Sequence, residues 1–176
     1  MAQANLPVDF NRNYGAVTQG TLSGSIPTVS VADATFGGWY SNLIRLPPSL
    51  DTRQPLYLTL TVSPIRVNPI DGQFVVFQTR YTVISSLLAT FSVQFNQTWA
   101  VPNGFVNNSI AHVLLDNGTG VTIPKNSLPQ QPWLAVRVAR LGSDAADTFT
   151  SSLHLCLGMS LAYTSRYPWL INTPPF

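Results

Sequence analysis

Two histidines, one cysteine and seven acidic residues, all aspartates, are the side chains through which this chain could do acid–base, nucleophilic or metal chemistry. His112 and His154 are far apart and belong to no H-x-H or H-E-x-x-H spacing. There is no second cysteine for a zinc site, and no glutamate to join several histidines in a cupin-type metal cluster. His154 and Cys156 are two residues apart. On a strand such residues face the same way but lie about 6.5–7 Å apart, too far at the Cα level for a nucleophile and its base. Glycoside hydrolysis needs two carboxylates flanking the bond. Asp51, Asp71, Asp116, Asp144 and Asp147 fall instead in expected turns, where an aspartate's hydrogen bonds to its own backbone explain it. A G-x-S-x-G elbow and a phosphate-cradling glycine loop are both missing. The expectation is a protein that is not an enzyme, with no catalytic residue, metal or cofactor.

Phe149, Leu153, Leu155, Leu157, Met159, Leu161 and Tyr163 share one parity, while Ser152, His154, Cys156, Gly158 and Ser160 share the other. Period-two alternation marks a strand with one greasy and one small, polar face, here much longer than the usual 5–6 residues. Its apolar face is expected to be core, and its small face a surface for close packing by a neighbour.

Other strands follow the same logic. They are expected at Trp39–Leu46, Leu56–Val62, Phe74–Ile84, Leu87–Val101, Ile110–Leu115, Gly120–Ile123 and Trp133–Leu141, with a shorter one near Val29 and Val31. Asp116-Asn117-Gly118 reads as a hairpin turn and Asp144–Asp147 as a single helical turn. One-sided alternation indicates antiparallel pairing. Eight strands of uneven length fit an all-β, single eight-stranded jelly roll with an extended N-terminal arm. An immunoglobulin-like sandwich, near 100 residues, is a poorer fit. The expected organisation is an arm at 1–35, the jelly roll at 36–165 and a Pro/aromatic tail at 166–176, which its prolines keep out of a sheet interior.

Composition points the same way. Only 9% of residues are charged, against about 25% in ordinary domains. Lys125 is the sole lysine, so solvated helix faces are not expected. A surface poor in charge is weakly protected against association, which suggests a protein meant to associate. The nine cations are scattered singly, which argues against direct nucleic-acid binding. MAQANLPVDFNRNYG lacks the features of a signal peptide, so synthesis in the host cytoplasm is expected. One cysteine permits no intrachain disulfide but leaves open a bridge between two copies through Cys156. Leu6, Phe10 and Tyr14 in the arm, and Tyr167, Trp169 and Phe176 in the tail, are expected intersubunit anchors. Trp39, Tyr40, Trp99, Trp133 and Trp169 leave an alternative: a carbohydrate- or receptor-binding module with an aromatic stacking platform.

An uncharged arm, a sandwich ending in TFTSSLHLCLGMSLAY and a tail RYPWLINTPPF together resemble a viral jelly-roll capsid protein. More narrowly, the chain is similar to the small major capsid proteins of icosahedral, internal-membrane Thermus phages, in the single vertical β-barrel lineage. The resemblance implies a virion shell protein whose barrel stands upright. It also implies self-association, with a dimer as the expected unit, and a second, larger capsid protein as partner over an inner membrane. Fourteen prolines suit a hot habitat, whereas the lack of Lys/Glu enrichment and the pairs Asn103-Gly104 and Asn117-Gly118 do not.

Overall fold

The computed structural model describes residues 2–22, 24–65, 71–85, 88–107, 109–128, 132–156 and 158–166. Its strands are β1 (Ala2–Gly15), β2 (Thr18–Leu22), β3 (Ile26–Val31), β4 (Phe36–Ser41), β5 (Ile44–Arg45) and β6 (Tyr57–Ile65). They continue as β7 (Phe74–Ser85), β8 (Leu88–Ala100), β9 (Ala111–Leu114), β10 (Trp133–Leu141), β11 (Ser152–Cys156) and β12 (Gly158–Ser165). Every pairing is antiparallel.

The pairing resolves into two layers. In one, β3 lies beside β11, and β11 with β12 beside β6, whose far side takes β9. In the other, β4 and β5 lie beside β10, then β7, then β8. Take β4/β5 as one strand and β11/β12 as another, and count eight from β3 in chain order. The first layer then reads first, eighth, third, sixth, and the second reads second, seventh, fourth, fifth. That order is the jelly roll, and the chain is all-β as its alternation predicts.

The inward parities meet in one core. Leu153, Leu155 and Leu161 are fully buried, opposite Trp39, Tyr81, Val136 and Val138 of the other layer. Each fully buried Leu or Val contributes about 1.5–3 kcal/mol. The last strand begins at Ser152 rather than Phe149, which is in the core but outside the ladder. Its register against β6 shifts between Leu155 and Ser160, and Leu157 itself lies outside the described residues.

Three expectations are corrected. The segment expected as an extended arm forms β1, β2 and β3 over its described residues, 2–22 and 24–35. In β1, Ala4, Leu6, Val8 and Phe10 alternate inward, and the strand runs beside β12 as far as Asp9 and beside β4 from Phe10. A register shift between Phe10 and Arg12 turns it from one layer to the other, so β1 joins the two layers into one hydrogen-bonded sheet. Pro7 is tolerated because this half of β1 pairs on one side only. With β3 as the first jelly-roll strand, the boundary at residue 35 falls inside the domain. Gly120–Ile123 is also not a strand: Val121 makes one bridge to Leu56. Asp116–Gly118 forms a 3₁₀ turn instead of a hairpin, with Asp116 and Asn117 both at positive φ.

Candidate functional site

The side chains with chemical potential are occupied by structural work. His154 Nδ1 lies 2.7 Å from Ser30 Oγ and 3.1 Å from Thr28 Oγ1, tying β11 to β3. Burial lowers its pKa, which favours the neutral ring. Cys156 is 3% exposed, and burial raises the pKa of its thiol, the reverse of what a nucleophile needs. Its sulfur is therefore not presented to a neighbour. His112 Nδ1 meets Thr61 Oγ1 at 3.0 Å on an exposed face. Among the described residues, no three His, Cys, Asp or Glu side chains gather to hold a metal ion.

Two aspartates do converge, on a buried guanidinium. Arg140, at the end of β10, is fully buried. Its Nε and Nη2 donate to Asp147 at 3.0 and 2.7 Å, and Nη1 donates to the Ser151 carbonyl at 2.6 Å. Nη2 also donates to the Phe149 carbonyl, and the guanidinium lies over the Phe149 ring at 5.4 Å. Asp33 stands 3.8 Å away. A carboxylate held in this way is a structural anion, not a general acid. The hub also explains why the chain between β10 and β11 carries a buried Phe149 without a ladder.

A second buried pair ties β7 to the turn after β9. The Tyr81 hydroxyl donates to Asp116, whose pKa is raised by burial against the opposing hydrogen bonds of Tyr81 and Thr79. Burial, reinforced by the Asp116 carboxylate, raises the pKa of Tyr81 well above its ordinary value. Beside this pair, Gln97 Nε2 donates to the Leu114 carbonyl at 3.1 Å, and Gln97 Oε1 accepts from Asn117 N at 3.1 Å.

Beyond Gln97 the sandwich is open. β8 has 13 residues, but β9, its counterpart at the edge of the opposite layer, has four. Phe91, Val93 and Phe95 point inward yet are only half-buried. Ser92, Gln94, Asn96 and Thr98 on the outer face are exposed. Among the described residues β8 pairs only with β7, so its other edge offers a row of backbone donors and acceptors. The strand is about 43 Å long at 3.3 Å per residue. Its sequence, LATFSVQFNQTWA, holds neither a charge nor a proline. Natural sheets blunt long edges with those residues, and an unprotected apolar edge is an association site.

Of the expected anchors, the three in β1 are described. Leu6 and Phe10 pack on this chain's own core. Tyr14 meets Phe36 and Tyr40 edge-on, at 5.1 Å in each case, and its hydroxyl accepts from Arg137 Nη1 at 3.1 Å. All three therefore hold β1 to its own barrel. Tyr167, Trp169 and Phe176 lie outside the described residues. Of the aromatics read as a stacking platform, Trp39 is fully buried, Trp99 packs against Phe77 and Phe105, Trp133 is exposed, and Trp169 lies outside the described residues. The uncharged run of β8 is visible in the sequence, but its place at an edge is not.

No family model matches the chain, and no curated protein sequence matches it. Among solved structures it is similar to one of the infectious bursal disease virus Gx strain, at 15% identity and a TM-score of 0.40. That match covers 94% of this chain but 34% of the other, so the chain spans about a third of its length. A crystal structure of the infectious bursal disease virus VP2 subviral particle matches at 12% identity and a TM-score of 0.33, covering 98% and 43% of the two chains. A family 11 carbohydrate-binding module from Clostridium thermocellum, in complex with a tetrasaccharide, matches at 8% identity and a TM-score of 0.37, covering 90% and 87%. The jelly-roll assignment rests on the strand order itself.

Proposed function

We propose that the chain is a structural subunit of a viral shell and that it associates with itself through the free edge of β8. The observation that carries this reading is the uncharged, proline-free edge strand with Phe91, Val93 and Phe95 half-open beside it. Two copies of one strand can pair antiparallel about a two-fold axis, because that arrangement is self-complementary. The backbone edges gain hydrogen-bond partners, and the half-buried aromatics leave water. The low overall charge supports the same conclusion. The resemblance to internal-membrane phage capsid proteins extends the proposal to a virion location, a second, larger capsid partner and an inner membrane beneath the shell.

Val93→Lys tests the edge. A lysine there places a charge on the half-open row, the device that natural edges use against pairing. At high salt, light scattering is expected to show a wild-type mass above that of the monomer and a monomeric Val93→Lys chain, with the β-rich circular dichroism spectrum retained. Ser92→Lys, on the outer face, should leave the mass unchanged. A folded Val93→Lys chain with wild-type mass, or a wild-type chain that stays monomeric at every concentration, would exclude β8 as the joining edge.

A further inference from the structure

Among the described residues, the two ends of the barrel carry opposite charge. At one end β5 stops, β10 starts and β12 stops. There Arg45, Arg53, Lys125 and Arg166 face a single carboxylate, the buried Asp51. At the other end β3 stops, β7 starts and the chain passes from β10 to β11. There, among the described residues, Asp33, Asp71, Asp144 and Asp147 stand against Arg140, and Arg140 is sealed by Asp147.

The cationic end also has a shape. A cleft of about 350 Å³ opens between Leu46, Pro47, Pro48, Leu50, Leu128 and Pro132, with Arg45, Lys125 and Arg166 along its sides. Among the described residues, no carboxylate lines the cleft, and none pairs with Arg45 or Lys125. Its occupant must therefore bring negative charge together with small or apolar groups. The acidic end presents that combination. Asp71 is exposed, Asp144 is partly exposed, and the exposed Ala145 and Ala146 follow Asp144 directly.

We infer that the cationic cleft receives the acidic end of a second copy of this chain. The contact is heterologous: each copy offers a cleft at one end and an acidic tip at the other. It therefore builds a directional row, or a ring if the rotation closes, which no two-fold edge pairing can do. It goes beyond the β8 contact and uses none of its residues. Because its charges sit at a solvent-facing rim, it should weaken with salt.

The test uses neutral substitutions in a Val93→Lys background, where the β8 contact is silent. One variant neutralises the cleft (Arg45→Gln with Lys125→Gln) and another the tip (Asp71→Asn with Asp144→Asn). Masses are measured by light scattering at about 0.05 M and about 0.5 M NaCl, spanning Debye lengths of about 14 to 4 Å. The parent should form a series of oligomers at low salt that dissociate at high salt. Each neutralised variant alone should associate about tenfold more weakly. An equimolar mixture of the two should give one-to-one pairs and nothing larger, since only one cleft and one tip remain between them.

A parent that is monomeric at low salt, or neutralised variants that match the parent, would overturn the inference. Weakening by the cleft variant alone would also overturn it, leaving the cleft to another occupant such as residues 167–176. The β8 proposal is judged separately, by comparing wild type with Val93→Lys at high salt.

Discussion

Arginine sits at both ends of this barrel, in opposite circumstances. Arg140 is fully buried, held by two hydrogen bonds to Asp147 and by the carbonyls of Phe149 and Ser151. Arg45 lines an open cleft with no carboxylate among its described lining residues. The difference lies in whether the chain's own acceptors have closed around the guanidinium. A closed cation holds local structure together. An open cation beside apolar surface is free to recognise something else. Residue type alone would have assigned both ends the same role.

The sharpest way to break this comparison is to remove the closed cation. Arg140→Met leaves the Asp147 carboxylate buried without its countercharge and should lower stability by about 3–5 kcal/mol, read from the urea midpoint. Adding Asp147→Leu removes the stranded charge and should recover part of the loss. A single variant within about 1 kcal/mol of wild type would show that the hub is not structural.

Asp51 provides an intermediate case at the cleft end. Arg53 donates to both of its oxygens, at 3.0 and 2.9 Å, and holds the carboxyl at about 2, below its ordinary 3.8. A carboxyl pKa depressed by folding stabilises the native state fully above the unfolded value, and that stabilisation fades as pH falls from 3.8 through about 2. Denaturation curves of wild type and Asp51→Asn should therefore differ at neutral pH and converge across that window. Curves that stay parallel down to pH 2 would refute the pairing.

The smallest effect is expected from the open cations. Arg45→Gln with Lys125→Gln should move the stability of the monomer by no more than about 0.5 kcal/mol, measured at high salt. A larger loss would mean that these side chains also hold the fold together, and the contrast between the two ends would fail.

Much of the architecture was legible in the sequence because a half-buried antiparallel strand writes its parity into the chain. Leu153, Leu155, Met159, Leu161 and Tyr163 face inward as their alternation requires. β1 carries the same signal in Ala4, Leu6, Val8 and Phe10, but Pro7 and its polar neighbours read as loop. Only its one-sided pairing explains why proline is allowed there. Arg140 gives no local sign, since two of its acceptors are backbone carbonyls placed by the turn after β10. The cleft is equally silent: Arg45, Lys125 and Arg166 are distant in sequence and meet only once the strands are ordered. Periodicity reports which side of a strand is wet, but says nothing about which strand is outermost.

The β1 strand has a consequence for the time course of folding. Leu6 pairs with Leu161 and Asp9 with Gly158, so β1 is completed by a strand about 150 residues further along the chain. Contacts so distant along the chain form slowly, because a long loop must close before they bring any gain. Until they form, the flanks of β12 and β4 are vacant. The β1 strand of another copy, identical in every residue, fits those flanks as well as the chain's own. Closure is thus a race between a strand and its duplicates, and local copy number during synthesis sets the odds.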